Sequence, residues 1–332
     1  MERLRRNLVL ALALGVAVYV ILAVFSNFDD LLSALDSFNY ALIPAILGLV
    51  TLSYVGRFFR WVYYLKVLKV SVPTGMNAAI FASGLSMAIS PGKLGEVLKS
   101  VFIRRTSGAP IARTAPAVVA ERATDGTGMV IWGFLGAFAL ALPPWTMLVF
   151  LAVAAFGIAV LRSKRLSLAV ERVLVKLPLV NRFAPHLNDF HGASNALLAT
   201  GPLLIGTVIS FLSWGLECTG VYLCAVGLGV DKPFLLIVFV FATSSLLGVV
   251  SMLPGGIGAV EAGLYGQFVT VANLSTGVAG ALTLLIRLAT LWFATLVGIG
   301  GLILVQRLLG DASLEAEPSA VSDQQSARKT DG

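Results

Sequence analysis

Leu253-Pro254-Gly255-Gly256-Ile257-Gly258-Ala259-Val260-Glu261 interrupts an apolar stretch that opens at Lys232-Pro233 and continues to about residue 272. A second interruption, Ser90-Pro91-Gly92-Lys93-Leu94-Gly95-Glu96, lies in an apolar stretch that opens at Val72-Pro73 and continues to about residue 106. Eighteen residues separate the prolines in the first stretch and 21 in the second. Proline removes a backbone donor and blocks the preceding helical turn. Glycine admits positive φ and close backbone approach. Inside a bilayer such a break is tolerated only where protein or a watery cavity covers the freed polar groups. Both stretches, 73–106 and 233–272, therefore read as broken, re-entrant helix hairpins with their tips at a cavity.

Each turn is followed by an arginine within apolar sequence: Arg122 lies 31 residues after Pro91, and Arg287 lies 33 residues after Pro254. A span precedes each hairpin, at about 40–58 and 201–228. Further spans are expected at about 8–28, 124–142, 145–161 and 278–306. The composition agrees. The 332 residues are 58% hydrophobic and 12% charged, with mean hydropathy +0.91. A soluble domain carries about 25% charged residues.

The orientation follows from short loops. Residues 57–69 carry Arg57, Arg60, Lys66 and Lys69 without an acid, and 162–182 carries six basic residues and one acid. Residues 29–36 carry Asp29, Asp30 and Asp36 without a base. Basic loops are cytoplasmic, so both termini are expected in the cytoplasm and the chain in the cytoplasmic (inner) membrane. The two hairpins then point opposite ways. The reading is an all-α, polytopic integral membrane helix bundle built from two inverted repeats, a plan in which interrupted helices meet at a midplane substrate site. Its parts are an N-terminal membrane half (1–161), a cytoplasmic amphipathic connector (162–200), a C-terminal membrane half (201–308) and a disordered tail (309–332). In the connector, Leu166, Val170, Val173, Leu174 and Leu177 recur at helical spacing up to Pro178. The apolar run after Arg3, Arg5 and Arg6 is long and lacks a small-residue cleavage site, so it reads as a retained span.

Eight ionisable residues interrupt apolar sequence: Lys93, Glu96, Glu121, Arg122, Asp125, Glu217, Glu261 and Arg287. Each costs about 2.5–3.5 kcal/mol unpaired at a helix centre, so they are expected to pair or to line a polar cavity. Glu121 and Asp125 share a helix face at i,i+4, and Arg122 sits beside Asp125 at i,i+3. Arg287 needs a partner from elsewhere in the chain, with Glu261 or Glu96 as candidates. Two readings stand: structural ion pairs that fix helix registry, or a groove in which Arg and Lys hold a phosphate while carboxylates hold an amine or hydroxyls. Arg57, Arg60 and Trp61 read as anchors at the cytoplasmic edge, with phosphate docking by either arginine as the second option.

Several classes are excluded. Neither H-E-x-x-H, nor a P-loop, nor G-x-S-x-G occurs. His186 and His191 are too few for a metal set, and Cys218 and Cys224, six residues apart, fall on different helix faces. No cofactor and no nucleic-acid partner is expected from the formal charge of +7, which sits in loops.

The blocks Ser90-Pro91-Gly92-Lys93-Leu94-Gly95-Glu96-Val97-Leu98-Lys99, Glu121-Arg122-Ala123-Thr124-Asp125, Leu253 to Gly263 and Arg287 resemble the lysylphosphatidylglycerol synthetase/flippase transmembrane family over roughly residues 8–306. Full-length members carry a soluble aminoacyl-transferase after this domain. The chain stops about 25 residues after its last expected span, so the resemblance implies the membrane activity without the synthetic one. It implies a lipid flippase or transporter, with buried charges at Lys93, Glu96, Glu121, Arg122, Asp125, Glu261 and Arg287. Hinges are expected at Pro91, Gly92, Gly95, Pro254, Gly255, Gly256 and Gly258. The expected partners are membrane lipids and a lipid-synthesis enzyme at the cytoplasmic face. The alternative is an accessory scaffold of a lipid or cell-envelope pathway, and a membrane transferase using the Glu/Asp cluster as base ranks lowest.

Overall fold

The computed structural model describes residues 18–90, 95–143, 145–146, 148–150, 152 and 187–327, with side chains to residue 310. Pro91, Gly92, Lys93, His186 and the amphipathic stretch 166–177 lie outside the described residues, as does most of the expected span 145–161. Among the described residues every regular element is a helix. The helices are α1 (Val18–Phe25), α2 (Phe28–Asp36), α3 (Ile43–Val67), α4 (Thr74–Leu85), α5 (Leu98–Ser107), α6 (Ile111–Ala139), α7 (Leu187–Leu197), α8 (Thr200–Gly227), α9 (Phe234–Ser251), α10 (Ala259–Thr270), α11 (Thr276–Arg287) and α12 (Phe293–Ala327). A π-helical turn, Leu288–Trp292, joins α11 to α12 without ending the rod.

Four of these segments are long and apolar enough to cross a bilayer: Tyr40–Val67, Thr200–Gly227, Phe234–Ser251 and Thr276–Gly310. A fifth arises if α1 and α2, bent by 94° at their junction, form one span. Helix α6, at 29 residues, has the length as well, but Glu121, Arg122 and Asp125 sit in its middle. Large apolar side chains such as Val250, Leu296 and Phe25 point outward, as lipid solvent permits.

The packing follows from small residues. Helix α12 lies on α4 because Gly298 and Gly301 let the backbones touch; a Cβ at Gly298 would stand 2.0 Å from Ser86 N. Helices associate in membranes largely through such close contact. Helix α8 packs on α3 and α6, α9 on α6 and α10, and α2 on α11. One apolar core gathers around Trp214, Val221, Ile237, Val240, Leu264 and Leu282, and a second around Trp61, Tyr64, Ile80, Ile103 and Ala117.

Two expectations need correction. Residues 57–67 are not a loop: α3 continues to Val67, and Arg57, Arg60 and Trp61 are buried, with Arg60 and Trp61 at 0% exposure. Carboxylates from other helices neutralise the arginines, which one segment's hydropathy does not reveal. Of the four basic residues there, only Lys66 and Lys69 are exposed. Residues 28–36 are likewise helical, because Leu31 and Ala34 bury one face of α2 while Asp29 and Asp30 occupy its first turn.

At the second break, Met252 adopts φ 53°, and Gly255, Gly256 and Gly258 adopt φ 62°, 63° and 93°. At the first, α4 tightens into a 3-10 turn, Ser86–Ile89. The two breaks meet: Ala88 and Ile89 pack with Ile257 and Leu291, and Gly255 faces the Ile89 backbone.

Candidate functional site

Helix periodicity sets the polar groups. On α3, Arg57, Arg60, Trp61 and Tyr64 recur at i, i+3, i+4 and i+7, one face of the helix. On α6, Glu121 and Asp125 occupy one face with Arg122 at its edge. On α8, Ser210, Trp214 and Glu217 share a face by the same rule. These faces, with Glu96 and Lys99 at the start of α5, Glu261 on α10 and Arg287 at the end of α11, turn inward.

Most of the charges form one alternating chain. Glu121 accepts from Lys99 Nζ at 2.5 Å, and Lys99 lies 3.6 Å from Glu96. Glu96 lies 3.3 Å from Arg122 Nη2, which is 3.1 Å from Asp125 Oδ2. Arg60 Nη1 donates to Asp125 Oδ1 at 2.6 Å and to Thr124 Oγ1 at 3.0 Å, and Ser210 Oγ donates to Asp125 Oδ1 at 2.8 Å. Lys99 also stands over the Trp61 ring at 4.4 Å, a cation–π contact that favours a desolvated ammonium.

Two pairs stand beside the chain. Arg57 donates to Glu217, which also accepts from Ser53 at 3.4 Å, and the guanidinium lies 4.3 Å from the Trp214 ring centre. Arg287 Nε donates to Glu261 Oε1 at 2.7 Å, and its Nη2 to the Gly255 carbonyl at 2.9 Å. Glu261 Oε2 accepts the Gly258 N–H at 2.8 Å, which caps α10 and fixes the broken turn. Immediately beyond Arg287, the π turn exposes the Thr290 carbonyl, which accepts from the Tyr54 hydroxyl at 3.3 Å.

These groups surround a cavity of about 250 Å³. Among the described residues its charged lining is Arg57, Arg60, Lys99, Arg122 and Arg287 with Glu96, Glu121, Asp125 and Glu217. Gly255 and Gly256 of the second break and Ser90 beside the first also line it, and so do the outward-facing Val249, Met252 and Leu253. The volume falls just below the roughly 300–1,000 Å³ of small-molecule pockets.

The structure thus brings Glu96, Glu121, Arg122, Asp125 and Arg287 to one cavity, with Glu261 behind Arg287. Of the expected hinges, Gly255 and Gly256 touch the cavity. Gly95 packs on Ser90 and Met87, Gly258 faces Val18, and Pro254 opens the turn without lining the cavity. The sequence reading underrated Arg57, Arg60, Lys99 and Trp214. The signal for the first two was available, because Tyr54, Arg57, Trp61 and Tyr64 continue the apolar face of the preceding span at helical spacing. Cys218 and Cys224 are both free and buried. Among the described residues no group of three or more His, Cys, Asp or Glu could hold a metal ion.

Comparison with known proteins places this architecture. A UPF0104 membrane protein of Methanothermobacter thermautotrophicus is 27% identical over 89% of this chain and 92% of its own. One of Pyrococcus horikoshii is 24% identical over 90% of this chain and 97% of its own. One of Methanocaldococcus jannaschii is 27% identical over 66% of this chain and 94% of its own. The family pattern of the lysylphosphatidylglycerol synthase TM region matches residues 10–298. With its apolar helices and that match, the chain is a multi-pass integral membrane protein and belongs to the lysylphosphatidylglycerol synthase TM region (UPF0104) family.

Proposed function

We propose that the protein carries a polar lipid between the leaflets of the cytoplasmic membrane, with the headgroup passing through the charged cavity and the acyl chains remaining in lipid. The observation that carries this reading is the cavity's mixed wall. Among the described residues five cations and four carboxylates line it, yet its rim at the second helix break is apolar and outward-facing, at Val249, Met252 and Leu253. A soluble substrate has no use for an apolar side door, whereas a lipid needs both surfaces at once.

Two finer points belong to the same reading. The meeting of the two breaks at Ile89 and Gly255 supports two inverted hairpins that flank the path. Lys66, Lys69 and the basic stretch 162–182 support cytoplasmic termini. No covalent chemistry is assigned to the site; the chain acts as a transporter rather than an enzyme.

The test is reconstitution into vesicles, following labelled lipids of several headgroup classes between leaflets. Faster exchange than in protein-free vesicles is expected for at least one class. Rates equal to those of empty vesicles for every class would remove the proposal.

A further inference from the structure

Between the first helix break and α6, two buried carboxylates share one ammonium. We infer that this triad, Glu96, Lys99 and Glu121, is a proton-binding site, and that its proton travels with the lipid, so that a pH difference across the membrane drives the transfer. The coupling rests on the reading of the protein as a lipid transporter; the proton site stands on the geometry alone.

Lys99 Nζ lies 2.5 Å from Glu121 Oε2 and 3.6 Å from Glu96 Oε2. The lysine side chain is 2% exposed, Glu121 1% and Glu96 8%. The Trp61 ring stands 4.4 Å from Nζ and the Phe81 ring 5.4 Å from it, with Gly84 against the lysine stem. Among the described residues Lys99 is the one lysine of the cavity wall, whose other cations are arginines. Arginine keeps its charge in proteins, whereas lysine can also act as a base.

The carboxylates differ in what their neutralisation leaves behind. A proton on Glu217 would strip Arg57 of its anion, one on Asp125 would strip Arg60, and one on Glu261 would strip Arg287. These three arginines are buried, and a buried charge without a partner is strongly disfavoured. A proton on Glu121 leaves Lys99 with Glu96. A proton on Glu96 leaves Lys99 with Glu121 and Arg122 with Asp125. Among the described ion pairs, the triad alone can gain a proton and keep every cation matched to a carboxylate. The proton can also pass inward through Nζ. The ammonium gives one proton to Glu121 and receives one from protonated Glu96, which ends as a carboxylate beside a restored ammonium.

The surroundings determine what that proton does. From α6, Arg122 and Asp125 flank the triad, and from α3, Arg60 and Tyr64 face Glu121. Helix α8 brings Glu217, held by Arg57. Helices α4 and α9 carry no titratable side chain. Helix α7 packs on α6 with Asp189 exposed and His191 half-buried. When ionised, Glu96, Glu121 and Asp125 balance Arg60, Lys99 and Arg122. One added proton leaves this group with a net positive charge and loosens Arg122. Protonated Glu96 releases it directly, and protonated Glu121 turns Lys99 wholly toward Glu96, its competitor for that carboxylate. Arg122, at 31%, is the most exposed of these ion-paired side chains. Proton uptake deep in the wall is thereby felt at the cavity's most open cation, and the linkage is reciprocal.

The test has two arms, both on the full chain. In neutral detergent, infrared difference spectra between neutral and acidic pH should show a protonated-carboxyl band in the wild type. Glu121→Gln and Glu96→Gln should both lack that band, because the remaining carboxylate and Lys99 close as a simple pair. Glu121→Gln keeps every cation matched, so its melting temperature should hold; Glu96→Gln gives an independent reading if it does not. The second arm uses phosphatidylcholine vesicles with a trapped pH dye and fluorescent phosphatidylglycerol, phosphatidylethanolamine or phosphatidylcholine. For the lipid that moves, one pH unit of imposed gradient should shift its leaflet ratio by up to about tenfold per proton carried. The shift should be lost in Glu121→Gln and kept in His191→Gln. Absence of the wild-type band, or its persistence in both variants, overturns the proton site. A leaflet ratio indifferent to the gradient, or a shift that survives Glu121→Gln, overturns the coupling. The band without movement of any labelled lipid overturns the transport proposal and the coupling with it, while the proton site stands.

Discussion

Replacing Arg287 by methionine strips the second helix break of its clamp. The guanidinium donates to Glu261 at 2.7 Å and to the Gly255 carbonyl at 2.9 Å, and the carboxylate it neutralises is 2% exposed. Arg287→Met leaves that carboxylate buried with only the Gly258 N–H, a cost of about 3–5 kcal/mol. Glu261→Gln leaves the guanidinium buried without its anion, and the same range of about 3–5 kcal/mol applies. The double variant removes both charges. The introduced carboxamide can still accept from the Gly258 N–H, so the loss reduces to the unpaired Gly255 carbonyl, about 1–3 kcal/mol. The double variant should therefore be more stable than either single variant, with a coupling of several kcal/mol. Equilibrium unfolding in mixed micelles, followed by helical circular dichroism, measures all four corners of the cycle. If the single costs simply add to within about 0.5 kcal/mol, the pair is not a buried clamp and the account of the break fails.

Two further expectations concern packing. Gly298→Val places a Cβ 2.0 Å from the Ser86 backbone nitrogen, so α12 must part from α4 and the loss should exceed the about 1–3 kcal/mol of ordinary overpacking; Gly300→Val, with nothing within 4 Å, should be neutral. Size-exclusion yield and melting temperature separate the two, and equal behaviour would refute the close helix contact. Cys218 and Cys224, 2% and 1% exposed, should resist maleimide in the folded protein and react after denaturation; rapid labelling of the native protein would show α8 to be loosely packed.

The extent to which the site was legible differs from residue to residue. Arg287 and Glu261 were legible as a problem, a charge alone in apolar sequence seeking a partner, and the structure supplies the pair. Arg122 and Asp125 could be paired from their spacing alone. Arg57 and Arg60 were misread, because a cluster of basic residues at the end of an apolar run has the same local pattern whether it anchors at a headgroup or turns inward. Glu217, Asp125 and Thr124 decide between those cases, and they come from helices more than sixty residues away in the chain. Lys99 was hidden for a similar reason. Its burial depends on Trp61, Phe81 and Glu121, none of them its neighbour in sequence.

Hydropathy, the two Pro-Gly turns and the isolated charges determined by themselves that this chain is a helical membrane protein with a polar interior. Those properties are local: lipid rejects unpaired backbone and unpaired charge wherever they occur along the chain. Which charges meet, which of them stays open to the cavity, and where the apolar rim lies were decided only when α3, α6 and α8 packed face to face and the two helix breaks came into contact. Ion pairing within a bilayer is a matter of distance across helices, and no single segment's sequence contains that distance.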